Sequence, residues 1–99
     1  MEHFFVEIVY RAPIEKIEQF VNDHRKYLNK LYDKGIILMS GPQVPRLGGV
    51  IIARAESMEE LNSYLKEDPY QKNKLADYRF IQFNPRNNQS FLVDWVAGK

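Results

Sequence analysis

Ninety-nine residues are enough for one domain and too few for two, and 44% hydrophobic with 27% charged residues is the balance of a soluble globular chain. Fourteen basic residues against thirteen acidic ones argue against the strongly basic face that a nucleic-acid binder needs. The absence of cysteine removes disulfide frameworks, thiolate nucleophiles and thiolate metal sites. The opening residues, MEHFFVEIVYRAP, lack the apolar core and cleavage site of a secretory signal. The longest apolar run, Ile36 to Met39, is too short to span a bilayer. The expectation is a single domain over residues 1–99 in the cytoplasm, a reducing compartment, with no membrane association.

FFVEIVY, residues 4–10, is β-branched and aromatic and predicts a first strand. Pro13 suits the first turn of a following helix. In that helix Ile17, Phe20, Val21, Leu28 and Leu31 recur at three- and four-residue steps, and Gly35 supplies its terminator. IILMSG predicts a second strand, the Pro- and Gly-rich GPQVPRLGG a reversal, and VIIARA a third strand. Ser57 with Glu60 reads as a capping box opening a second helix, which Asp68-Pro69 ends. DYRFIQF, residues 77–83, predicts a fourth strand. FLVDWV, residues 91–96, predicts a fifth, with Phe91, Val93 and Trp95 on one face.

The order β-α-β-β-α-β is that of a ferredoxin-like α+β fold: a four-stranded antiparallel sheet, two helices on one face, and an extra C-terminal strand. The other face carries apolar residues on either parity of the first strand, Phe4, Val6, Ile8 and Tyr10 or Phe5 and Val9. An exposed apolar patch of several hundred Å² calls for a cover. A second copy packed sheet against sheet, a homodimer, supplies it; alternatively, the 91–96 segment folds back over it.

Two positions can carry chemistry. His24 falls on the apolar stripe of the first helix, where leucine would pack better. Either it is a core histidine bonded to a carbonyl, or its imidazole is tuned as a general acid or base. Asp68 before Pro69 is ordinary turn chemistry. In a ferredoxin-like unit, however, the end of the second helix can approach the middle of the first, where a carboxylate would fix the imidazole tautomer. Ser40, Gly41 and Pro42 end a strand and can line a pocket or simply make a turn. Tyr70 can close over a ligand or staple its loop. Two histidines, His3 and His24, without a carboxylate cluster predict no metal site. Gly48-Gly49 precedes a strand, so it is not a phosphate loop.

His24, Leu28, Leu31, Gly35, Ser40-Gly41-Pro42, Gly48-Gly49, Glu59-Glu60 and Asp68-Pro69-Tyr70, in this order and spacing, resemble the YCII-related family over roughly residues 3–84, with 85–99 as an extension. The resemblance implies a dimeric α+β barrel of ferredoxin-like units with a His–Asp pair in its active site, here His24 and Asp68. One branch of the family resembles enzymes that eliminate chloride from chlorinated aromatic rings. Arg25, where members often have leucine, and the polar run PRNNQS after Asn84 depart from the pattern.

Two functions follow as expectations. One is a small cofactor-independent enzyme performing elimination or isomerisation on a small molecule, with His24 as base or acid, Asp68 orienting it, and Ser40, Gly41, Pro42 and Tyr70 contacting substrate. The other is a non-catalytic module that binds a metabolite in the same pocket. An RNA-binding role is disfavoured because GGVIIARA lacks the stacking aromatics of RNA-recognition sheets.

Overall fold

The computed structural model describes residues 1–99. Its elements run β1 (Glu2–Tyr10), α1 (Ile14–Asp33), β2 (Ile37–Pro42), β3 (Gly48–Ala55), α2 (Met58–Leu65), α3 (Pro69–Lys72), β4 (Ala76–Phe83) and α4 (Val93–Val96), the last entered through a 3₁₀ turn at Ser90–Leu92. The four strands form one antiparallel sheet in the order β2-β3-β1-β4. The α+β, ferredoxin-like arrangement expected from the sequence is the one observed.

Alternation divides the sheet into two faces. Phe4, Val6 and Ile8 of β1 pair with Ala53, Ile51 and Gly49 of β3. All six are buried, and they meet Ile17, Leu28 and Leu31 of α1 and Leu61 and Leu65 of α2 in one core. Fully burying side chains such as Ile17 and Leu31 stabilises the fold by about 1.5–3 kcal/mol each. Gly35 terminates α1 at φ +74°. The amide of Ile36 donates to the Leu31 carbonyl at 3.0 Å, and the Gly35 amide to Tyr32 at 2.9 Å. This double closure satisfies carbonyls the last turn would leave open, and it favours glycine at the positive φ. The helix starts one residue later than expected, with Pro13 as its cap. Ser57 accepts from the Glu60 amide at 3.1 Å, the serine half of the predicted capping box.

The predicted fifth strand is overturned. Residues 90–96 are helical turns, and Phe91 and Val93 are 81% and 53% exposed rather than sharing a buried face with Trp95. The contacts of Trp95 decide the outcome. Its indole Nε1 donates to the Gly35 carbonyl at 3.1 Å, and its own carbonyl accepts from Arg54 Nη1 at 2.6 Å. The Arg54 guanidinium lies 5.1 Å from the indole ring centre and donates through Nε to the same Gly35 carbonyl at 2.8 Å. A helical turn, unlike a strand, presents ring and carbonyl to this corner together.

His3 also packs on Trp95, ring centres 5.6 Å apart, and burial lowers its pKa. The tail therefore covers the end of the helix-free face around His3 and Arg54. Ile81 and Phe83 on the neighbouring strand β4, opposite Phe5 and His3, remain 52% and 41% exposed. No helix is long and apolar enough to cross a membrane.

Candidate functional site

His24 is buried because its stripe on α1 faces the core, and an unpartnered imidazole there would carry a desolvation cost. Its partner is Asp68. Nδ1 lies 2.9 Å from Oδ1 and 2.8 Å from Oδ2, although 44 positions separate the two residues. Asp68 reaches this point as the N-cap of α3: Pro69 fixes the first helical residue, and the Tyr70 amide donates to Asp68 Oδ1 at 3.1 Å. The carboxylate is completely inaccessible to solvent. A buried charge is tolerated only when donors surround it, and a third one does so here, the Tyr78 hydroxyl, which donates to Oδ2. Burial, and the Asp68 charge next to it, hold the Tyr78 phenol far above the ordinary tyrosine pKa, so it remains a donor.

An ionised carboxylate only accepts, so Nδ1 carries the imidazole proton and the other nitrogen, Nε2, is the acceptor in the neutral ring. Nε2 makes no hydrogen bond within the protein. The Tyr70 ring stacks on the imidazole, centres 3.9 Å apart and planes within 8°. The ring is buried, and burial pushes its phenol up to about 12.

His24 opens onto a cavity of about 280 Å³. Val21, Arg25 and Leu28 of α1, Ile8 and Tyr10 of β1, and Gly49 and Val50 of β3 line it, together with Ser40, Gly41, Pro42, Arg46 and Tyr70. Five of the six residues singled out from the sequence thus share one cavity, and the sixth, Asp68, lies behind the imidazole. A β-bulge aims Ser40. Between Ile37 and Met39 the register of β2 against β3 shifts, so Ser40 pairs with Ile51 on the helix side of the sheet. There its hydroxyl lies 2.6 Å from that of Tyr32. No group of three or more His, Asp or Glu side chains is placed to hold a metal ion.

Arg46 and Tyr10 belong to the site and were not anticipated. Arg46 Nε donates to the Tyr10 hydroxyl at 3.3 Å, and Nη1 pairs with Glu18. Tyr10 in turn meets Tyr70 edge to face, centres 6.2 Å apart. Arg46 sits in an aperiodic loop that offers no pattern to read, whereas Tyr10 could have been placed by its parity with Ile8.

The fold and this cavity define a ferredoxin-like α+β protein with a histidine–aspartate pair beside a cavity. The YCII-related domain matches residues 3–84, and the chain belongs to that family. Among solved structures it is similar to the 5-chloro-2-hydroxyhydroquinone dehydrochlorinase TftG from Burkholderia phenoliruptrix AC1100, in complex with 2,5-dihydroxybenzoquinone. The TM-score is 0.69 at 23% identity, covering 87% of this chain and 95% of that one. No curated protein matches the chain.

Proposed function

We propose that the chain is a small cytoplasmic enzyme that moves a proton on a small organic molecule, in an elimination or an isomerisation, without a cofactor. One observation carries the reading: an imidazole whose Nδ1 is committed to a buried carboxylate lines a cavity with its other nitrogen free of protein partners. In this reading His24 Nε2 takes a proton from substrate carbon, and the imidazolium so formed is stabilised by Asp68 and by the Tyr70 π-face stacked on it. Ser40, Gly41, Pro42 and Tyr70 hold the substrate against Nε2. In an elimination the electron pair of the broken C–H bond forms the new double bond, and the leaving group departs with its own pair. The dehydrochlorination named for the similar TftG structure is a reaction of this kind.

The test is proton exchange. Small quinols and enolisable carbonyl compounds are incubated with the protein in deuterated water, and carbon-bound deuterium is followed by NMR. His24→Ala should slow exchange of whichever compound the unmodified protein accepts by about 10²–10⁴-fold. Undiminished exchange would end the proposal. Ligand binding that survives His24→Ala, with no exchange of any compound, points to the non-catalytic binding module instead.

We further infer that a second copy covers the helix-free face, forming the dimeric barrel. Phe5, Val9, Val50 and Ile52 form its half-buried centre, and the tail reaches only the His3–Arg54 corner. Light scattering should return twice the 11.7 kDa protomer mass, falling to one for Ile81→Lys. A monomer at micromolar concentration contradicts the dimer.

A further inference from the structure

The cavity is electrostatically one-sided. Two guanidinium side chains line it, Arg25 and Arg46, and no aspartate or glutamate does. The carboxylate nearest the centre, Asp68, lies behind the imidazole with its oxygens taken up by His24, the Tyr70 amide and the Tyr78 hydroxyl. Those three donors, rather than a ligand, compensate its charge.

Arg46 is held in place rather than waving in solvent. Glu18, exposed on α1, takes Nη1, the Tyr10 hydroxyl takes Nε, and the Tyr70 hydroxyl lies beside the same guanidinium, whose five N–H donors still exceed these partners. An anchored guanidinium binds an oxyanion at a smaller entropic cost than a mobile one, and the bond is charge-assisted. Arg25, next to His24 in the helix, lines the cavity as well. The rest of the wall is largely apolar or glycine.

We propose that this cavity selects a small organic anion, a carboxylate or an ionised phenol or enol. Arg46 and Arg25 bind the charged oxygen while His24 faces the neighbouring carbon. The inference rests on the reading of His24 above and gives it a substrate class. The same two cations would stabilise the negative charge that develops on oxygen when a proton leaves the adjacent carbon, so they favour the transition state as well as binding.

Two anions, 2,5-dihydroxybenzoate and ionised 2,5-dihydroxybenzoquinone, are titrated into the full-length protein beside the neutral 2,5-dihydroxybenzamide, with the His24 ring resonances as readout. The anions should bind about tenfold or more tightly than the amide, with the preference shrinking as salt is added. Arg46→Gln should weaken the anions by about tenfold and leave the amide unchanged, and Arg46→Lys should restore part of the difference. Equal affinity for anion and amide overturns the proposal, as does the absence of anion binding at millimolar concentration. An Arg46→Gln effect equal on both ligands does the same, since that is what a purely structural loop contact gives.

The two readings fail separately. Anion selectivity that depends on Arg46, with deuterium exchange untouched by His24→Ala, sinks the catalytic role and leaves the anion site. Exchange abolished by His24→Ala with no charge preference does the reverse.

Discussion

Replacing Asp68 by asparagine should slow the proposed proton transfer by roughly 10³–10⁴-fold, the scale seen when a histidine base is left in the wrong tautomer, and leave the fold standing. The surrounding bonds dictate how the amide must sit. The Tyr70 amide donates to Oδ1, so that position has to stay an oxygen. The amide nitrogen then replaces Oδ2, 2.8 Å from His24 Nδ1 and bonded to the Tyr78 hydroxyl. Both neighbours can turn from donor to acceptor, so every buried group keeps a partner and the stability cost is about 1–2 kcal/mol. The imidazole cannot keep its function. Nδ1 now accepts, the proton moves to Nε2, and the nitrogen without a protein partner is no longer a base.

The ¹⁵N shifts of the His24 ring should exchange character in this variant, and the exchange rate should fall with them. An unchanged rate removes Asp68 from the mechanism. Asp68→Ala is the contrasting case. It leaves the imidazole, the Tyr70 amide and the Tyr78 hydroxyl unpaired, at about 3–5 kcal/mol. Tyr78 adds a pH signature. Its folded pKa lies above the reference 10.0, so the stability it contributes is complete below pH 10 and lost as the pH rises beyond it. In Asp68→Asn the charge that helps raise that pKa is gone, and the alkaline loss should shrink.

The parts of this site legible in the sequence are those with a local period or a fixed backbone demand. His24 stood out because it interrupts an apolar stripe, and Gly35 and Pro69 because helix ends need a positive φ or a preset first turn. Its link to Asp68 was suggested by the expected fold and the family resemblance, and nothing in the spacing could supply it. Three features were hidden for definite reasons. The face occupied by Ser40 depends on the bulge in β2, and one extra residue reverses every side chain after it. The role of Tyr78 depends on the β1–β4 register, which sets it opposite Ile8 on the helix side. Residues 91–96 alternate like a strand, yet Arg54 and the Gly35 carbonyl, both distant in sequence, hold Trp95 in a helical turn.

Gly48→Ala should be the most damaging addition of a single carbon in the chain. Gly48 opposes Val9 where β3 meets β1, and a Cβ there would stand 1.9 Å from the carbonyl oxygen of Ile8 and 3.1 Å from its carbon. Both atoms are backbone in a central strand, so no rotamer change relieves the contact and the strands must separate. The cost belongs with the severe class of substitutions, about 3–5 kcal/mol, a large share of the roughly 5–15 kcal/mol that holds a domain folded. For a chain of this length the melting temperature should drop by about 15 °C or more. The site should suffer with it. The Gly48 carbonyl accepts from the Gln43 amide at 2.8 Å, and the Tyr10 amide reaches Leu47 at 3.4 Å, so the loop carrying Arg46 is pinned to this strand end. Gly41→Ala is the control. It gains the same methyl group and the same stiffening of the unfolded chain, but nothing lies within 4 Å of the new Cβ, and its stability should stay within about 0.5 kcal/mol. A Gly48→Ala protein melting within a few degrees of the original would mean that the strands do not approach this closely, and the cavity wall built on them would have to be redrawn.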